Sequence, residues 1–380
     1  MRAEIIEAAT HINNSYVNEW KNSGRKIVGF PCTFVPEEIL YAAGLLPFRL
    51  RGNEAQSTTF ADIYFGHVIC SYPKCILEMV GDKKYDFLDG AIVSNGCDAG
   101  RRLEECWRKA GNDHDGILPP FFYYFSSPHK VSDYSKNWFG LEIRRLVKSL
   151  EDHFDVTITD DKLMDSIKIY NKSRLLLKRI DKFRIGDEVM ISGTDAQTII
   201  LAGSSIHRKE YNNILEETLD ELENDQKAGK EGIKGKRLFL AGSIVDDVKF
   251  IKTIEDEGAV IVSDNQCFGT RSYVDMVDEN MDPLDALVKR YLERTFCPRM
   301  FGYYKDRFKY VIERVKEAKI DGVILQNIRF CDLHGADNGL FQKDLEREGI
   351  PSIVIEREYG PLSEEGRIRM RVDSFLESLG

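Results

Sequence analysis

The sequence predicts an α/β protein made of two doubly wound, parallel-sheet lobes joined by a helical connector, and three observations predict it. Two segments repeat each other: Phe87-Leu-Asp-Gly-Ala-Ile-Val-Ser-Asn-Gly-Cys97-Asp98 and Lys319-Ile-Asp-Gly-Val-Ile-Leu-Gln-Asn-Ile-Arg-Phe-Cys331-Asp332. In each, an Asp-Gly turn launches a short apolar run of the kind expected for a buried parallel strand, and a thiol follows its carboxyl end. Short apolar runs alternate with helical patterns on both sides of the chain, in the manner of a parallel sheet. Between them, residues 132–230 carry helical periodicity without comparable strands.

The first lobe opens with the strand Lys26-Ile-Val-Gly-Phe30, entered from Gly24-Arg25. Pro36-Glu37-Glu38 then begins a helix, with proline in the first turn and carboxylates that suit the helix dipole. A short strand, Leu45-Leu-Pro-Phe-Arg-Leu50, follows. A helix over about 73–80 leads into the strand that ends at Cys97, a second helix covers roughly 100–110, and an aromatic strand occupies Phe121–Phe125. Asp-Gly at 89–90 supplies the turn before the third strand.

The connector includes patterns such as Leu163-Met-Asp-Ser-Ile-Lys-Ile-Tyr170 and ends in a charged, glycine-containing linker from Asn224 to Lys236. The second lobe opens with Lys236-Arg-Leu-Phe-Leu-Ala-Gly242. A helix near 247–257, the strand Ala259–Ser263, helices near 283–295 and 304–318, the strand ending at Cys331, a helix near 337–348, the strand Ser352–Glu356 and a last helix over 363–379 complete it. The expected organisation is a first lobe over 1–131 with an amphipathic N-terminal helix, a connector over 132–234 and a second lobe over 235–380. The linker run Gly229-Lys-Glu-Gly-Ile-Lys-Gly235-Lys236 is not a phosphate loop, because the glycine spacing is wrong, Arg237 replaces the hydroxyl residue and the strand comes afterwards. With no dinucleotide fingerprint either, the chain is expected to bind no nucleotide.

A net charge of −10 over 380 residues argues against nucleic acid and anionic membrane as partners, since both need a basic face. No run approaches ~18 apolar residues, and the start lacks a signal-peptide core, so the expected location is the cytoplasm. There the eight cysteines are expected to be reduced. Cys106, mid-helix on an apolar stripe, reads as core filler; the others lie in loops or at element ends.

Cys70 and Cys75 flank Ser71 and Pro73, which cap and open a helix, and Cys97 precedes another helix start. Helix amino ends favour the thiolate that binds metal. Cys267 follows the strand ending at Ser263, Cys297 lies in Phe296-Cys-Pro-Arg-Met300, and Cys331 follows its strand. Each lobe thus offers three thiols near the ligand-binding edge of its sheet. Structural zinc usually uses two close ligand pairs, and only one such pair exists here. Dispersed all-thiolate ligation fits iron–sulfur binding better, and six thiols exceed the four of one ordinary cubane.

The run Val35-Pro-Glu-Glu-Ile-Leu-Tyr-Ala-Ala-Gly44-Leu-Leu-Pro47, with Cys70, Cys75, Asp89-Gly90, Cys97-Asp98, Cys331-Asp332 and Gly349-Ile-Pro351, resembles the 2-hydroxyacyl-CoA dehydratase and benzoyl-CoA reductase family over nearly the whole chain. In that family two Rossmann-like lobes clamp a cubane through three cysteines, which implies Cys70 or Cys75, Cys97 and Cys331 here. Thiols at both Cys267 and Cys297 depart from the dehydratase subunits and resemble the double-cubane cluster branch. That resemblance implies Cys70, Cys75, Cys97, Cys267, Cys297 and Cys331 as ligands of two linked 4Fe cubanes, with Cys32 in reserve, in a homodimer that receives electrons from a separate ATPase carrying its own 4Fe-4S cluster.

The implied function is an ATP-dependent, low-potential reductase of a small-molecule substrate. The alternatives are a subunit of a single-cubane 2-hydroxyacyl-CoA dehydratase or benzoyl-CoA-type reductase, and a non-catalytic electron-transfer or scaffold protein. His67, Arg271, Arg299, Arg329 and His334 are expected near the cleft as candidates for hydrogen bonding or proton donation, with no catalytic role assigned. Arg101 and Arg102, just after Cys97, are candidate contacts for the ATPase.

Overall fold

A computed structural model describes residues 1–360 and 364–380. The first four strands, β1 (Ile27–Phe30), β2 (Leu46–Arg49), β3 (Gly90–Ser94) and β4 (Phe121–Phe125), form one parallel sheet in the order β2-β1-β3-β4. The second sheet repeats that plan: β5 (Lys236–Gly242), β6 (Ala259–Asn265), β7 (Gly322–Ile328) and β8 (Ser352–Arg357) lie parallel in the order β6-β5-β7-β8. In both, the chain leaves the first strand toward one edge and returns to its other side. The crevice at that reversal, outside the strand carboxyl ends, is where such sheets bind ligands.

Each sheet is buried on both faces, which is why its strands are continuous apolar runs. Ile27, Phe48, Ala91 and Val93 pack against helices Ser71–Gly81 and Asp98–Asp113 on one side of the first sheet. Val28, Phe30 and Ile92 pack on the other side with Phe139 and Ile143 of the helix Asp133–Phe154 and with Leu287 from the helix Pro283–Leu292 of the second lobe. In the second sheet, Leu238, Leu240 and Ile324 face helices Val248–Glu255 and Glu365–Ser378. Phe239, Val323 and Leu325 face helices Tyr304–Glu317 and Asp332–Arg347.

The connector is four helices: Asp133–Phe154, Asp160–Ile185, Gly193–Ala202 and Arg208–Lys227. Its Ser132, Thr159 and Ser192 each cap the following helix through a side-chain oxygen. The N-terminal segment is two helices, Ala3–Thr10 and Ser15–Asn22, because Asn14 accepts from the Val17 N–H and starts a new one. Ile5, Ala8 and Ala9 of the first pack into the connector's core with Ile199 and Leu215.

Several element ends differ from the sequence reading. β3 stops at Ser94, three residues before Cys97, and β7 stops at Ile328, three before Cys331. The helices after those cysteines begin immediately, at Asp98 and Asp332, so each thiol sits on a helix N-cap residue. The expected start of the last helix at residue 363 lies outside the described residues. No described helix is long and apolar enough to cross a membrane.

Candidate metal centre between the lobes

The carboxyl ends of β1, β3, β5 and β7 converge on one cavity of about 130 Å³, bounded by Cys32, Cys97, Ser243 and Ile328 among others. Six thiols line it: Cys32, Cys70 and Cys97 from the first lobe, and Cys267, Cys297 and Cys331 from the second. All eight cysteines are free. Among the described residues, no three His, Cys, Asp or Glu side chains stand close enough to share one metal ion. The thiols therefore surround a space larger than one ion's coordination sphere, unlike a structural zinc site.

Local sequence explains each placement. Cys70, Cys97 and Cys331 are the N-cap residues of helices Ser71–Gly81, Asp98–Asp113 and Asp332–Arg347. The Gly100 N–H donates to Cys97 Sγ at 3.2 Å. Phe330, just before Cys331, adopts φ +64°, a left-handed conformation uncommon outside glycine, in the turn that leads from β7 to the thiol. Cys32 follows β1 and lies against Gly96, where a Cβ would come within 2.6 Å of its Sγ. Cys267 lies two residues past β6, and Arg49 donates to its carbonyl at 2.9 Å and to its Sγ at 3.4 Å. Cys297 lies in the loop between the helices Pro283–Leu292 and Tyr304–Glu317.

Cys75 is not part of this lining. It stands five residues beyond Cys70, and at 3.6 residues per turn that rotates it about 140° around the helix. It is fully buried in the first lobe's core, with its Cβ 2.5 Å from where a side chain on Gly52 would start. The expectation that Cys75 reaches the cleft is corrected, and Cys32 occupies the cavity instead. Cys106 packs in the same core, 8% exposed, with its thiol toward the Tyr64 carbonyl.

Three arginines, Arg49, Arg271 and Arg299, line the cavity, and among its described lining residues there is no carboxylate. Arg299 crosses from the second lobe to the first: Nε donates to the Gly96 carbonyl at 3.0 Å, and its other nitrogens reach the Ser127 and Pro128 carbonyls. It thereby anchors the loop carrying Cys97. Arg271 Nε and Nη1 are buried with no partner on the protein. His334 also lines the cavity, and burial drives its pKa well below the usual histidine range, aided by Arg271 and Arg307. His67 is exposed elsewhere, and Arg329 pairs at the surface with Glu356 and Glu358. Arg101 and Arg102 are exposed on their helix and pair with Glu105.

Burial pushes the Cys97 thiol up to about 12 and raises Cys70 and Cys331 as well. Helix ends alone do not keep these thiols ionised; desolvation wins. A soft metal reverses that balance, because a coordinated thiol loses its proton outright. Sequence reasoning missed Arg49, Tyr72 and Ser243 in the lining. A signal for Arg49 was present: it is a lone charge at the carboxyl end of an otherwise apolar strand, and it is 6% exposed.

The family model for the 2-hydroxyglutaryl-CoA dehydratase D-component matches residues 32–379. The chain belongs to that family. The match begins just after β1 and takes in the other seven strands of the two sheets. Among dehydratase-family relatives, the (R)-phenyllactyl-CoA dehydratase beta subunit of Clostridium sporogenes is 25% identical over 359 residues, 94% of this chain and 93% of that protein. One of the benzoyl-CoA reductase subunits of Thauera aromatica is 28% identical over 324 residues, 83% of this chain and 81% of that protein. The (R)-2-hydroxyglutaryl-CoA dehydratase beta subunit of Acidaminococcus fermentans is 26% identical over 366 residues, 95% and 94% of the two chains.

Proposed function

We propose that this chain is an iron–sulfur reductase whose interlobe cavity holds a double-cubane cluster through Cys32, Cys70, Cys97, Cys267, Cys297 and Cys331. The observation that carries the reading is the set of six thiols, three from each lobe, around one cavity with three arginines and no described carboxylate. Six all-sulfur donors suit iron–sulfur chemistry, and the guanidinium groups offset the negative charge that thiolates and sulfides bring. Such a cluster, when bound, supplies low-potential single electrons to a small substrate.

The chain's own residues do the rest. The apolar lining, including Pro31, Phe34, Leu103 and Ile328, excludes water from the cavity. Arg49 holds the Cys267 loop through its carbonyl and thiol, and Arg299 holds the Cys97 loop against the second lobe. Arg271, with two unpartnered buried N–H groups, is the donor left free to meet charge inside the cavity. Electrons arrive, in this reading, from a separate cubane-bearing ATPase, and the chain works as a homodimer.

A second reading, a subunit of a single-cubane dehydratase, is favoured by the relatives, two of which are dehydratase beta subunits. Iron and acid-labile sulfide are to be measured on anaerobically purified protein, with EPR and Mössbauer spectra. About eight irons per chain are expected, as two cubanes require; about four would favour the dehydratase reading. Reduction should require the ATPase, ATP and a strong reductant together. Undiminished reduction without ATP or partner would leave a conventional reductase as the better description.

A further inference from the structure

A second cleft, about 60 Å³ in volume, lies beside the thiol cavity and shares Thr33 and Arg49 with it. It is built where all three parts of the chain meet. The first lobe contributes Arg49, the connector Arg174 and Arg208, and the second lobe Arg290 and Arg294. Arg49, Arg174, Arg290 and Arg294 are each at least nine-tenths buried.

Two of these five charges have partners. Arg174 pairs with the buried Glu38, and Arg208 pairs with Glu37 at 2.8 Å. The other three spend their hydrogen bonds on neutral carbonyls or sulfur. Arg290 donates to the Asp275 and Ser272 carbonyls at 3.2 and 3.0 Å, and Arg294 to those of Arg271 and Thr33 at 3.1 and 2.7 Å. Arg49 reaches the Cys267 carbonyl and thiol, while its Nε is buried without a partner, as is Nε of Arg208.

Even with Arg49 assigned to a Cys267 thiolate, Arg290 and Arg294 remain beside the cleft with no described carboxylate at ion-pair distance; the buried Glu38, already paired with Arg174, acts on Arg290 only from farther away. Asp275 acts on Arg294 only from farther away. Buried charge is costly unless it is closely paired. The cost is visible in Arg290, whose pKa burial and the neighbouring Arg174 push down to about 10. The polar lining also includes hydroxyl groups of Ser173, Ser204 and Tyr170 and the Glu37 carboxylate, whose charge Arg208 offsets.

We propose that this cleft binds a small doubly charged anion, a dicarboxylate or an inorganic oxyanion, through Arg290 and Arg294. Guanidinium groups in fixed, converging positions match carboxylate and tetrahedral oxyanions through paired N–H donors. The limited volume excludes a nucleotide or a coenzyme A moiety. The position places the anion one arginine away from the thiol cavity, with Arg49 between them. The inference goes beyond the iron–sulfur reading and stands without it.

The test is calorimetric titration of the full, anaerobically purified chain in a low-chloride buffer with malonate, phosphate and sulfate in turn. Iron content is measured on the same samples, so that loss of anion binding is separable from loss of a cluster. One saturable site is expected for at least one of the three. Malonate alone binding identifies a carboxylate ligand, and phosphate or sulfate alone identifies an inorganic one. Arg294→Gln should weaken binding by about tenfold or more, with Arg294→Lys losing less; Arg290→Gln gives the same reading if the first variant does not fold. No saturable binding up to ~10 mM, which is too weak for a converging arginine pair, or equal affinity in a folded Arg294→Gln or Arg290→Gln protein, would overturn the site and leave these arginines as structural donors to backbone carbonyls.

Discussion

Replacing Glu38 by glutamine should cost this fold about 3 kcal/mol at neutral pH, because one carboxylate ties together all three parts of the chain. Glu38, fully buried in the first lobe, pairs with Arg174 of the connector and accepts from Tyr291 Oη of the second lobe at 2.7 Å. Burial alone would raise its pKa. Arg174 and Arg290, with the hydrogen bonds from Arg174 and Tyr291, overcome that and hold the carboxyl at about 2, against an ordinary 4.5. At 1.36 kcal/mol per pH unit, that difference is worth about 3 kcal/mol of folding stability. The figure lies at the lower end of the ~3–5 kcal/mol lost when one member of a buried pair is removed.

Because the folded-state pKa is depressed, the contribution is complete well above pH 4.5 and is lost as pH falls toward 2. Chemical denaturation of wild type and Glu38→Gln at a series of pH values isolates it. The stability gap between them should be about 3 kcal/mol at pH 7 and less than half that at pH 3. A gap under ~1 kcal/mol at pH 7, or one that stays constant down to pH 3, would rule out this role for Glu38.

Three further outcomes are expected. Cys32→Ser should lower iron content while Cys75→Ala should retain it, measured per folded chain; the reverse pattern would return Cys75 to the ligand set. Gly96→Ala removes no thiol but puts a Cβ 2.6 Å from Cys32 Sγ, so iron content should fall with the circular dichroism spectrum unchanged, and full iron retention would contradict the placement of Cys32. Asp246 is buried, accepts from Tyr359 Oη at 2.6 Å, and burial raises its carboxyl from 3.8 to about 6. Ionising it in the fold is therefore harder than in the unfolded chain, so Asp246→Asn should be more stable than wild type by up to ~3 kcal/mol above pH 6 and lose that advantage near pH 4; a pH-independent difference would exclude this cause.

The doubly wound lobes, the helical connector and the placement of most of the candidate centre were legible in the sequence, since they rest on local signals. Asp-Gly turns, apolar runs and a thiol just past a strand end determine a parallel strand and a residue at its ligand-binding edge within a dozen residues of chain. Cys97, Cys267 and Cys331 follow from that logic, and Cys70 from its helix start, whereas Cys297 lies in a loop between two helices. Local rules also misplaced one thiol. Cys70 and Cys75 share a helix start, but only the packing of that helix between sheet and cleft decides which side faces which. The five-residue step carries Cys75 to the core beside Gly52, where it fills volume. Cys32 reads as filler after a first strand, and only the loop at Gly96, which closes over it from another strand, makes it part of the cavity.

Charge and burial across long separations belong to the tertiary structure. Glu38 and Arg174 are 136 positions apart, and Arg299 reaches carbonyls more than 170 positions earlier. No window of sequence contains both members of such a pair. The ionisation of the thiols is settled in the same way: a helix amino end is a local feature that favours the thiolate, but the depth of burial that outweighs it arises only when two sheets, each ordinary alone, bring their strand ends to one cavity.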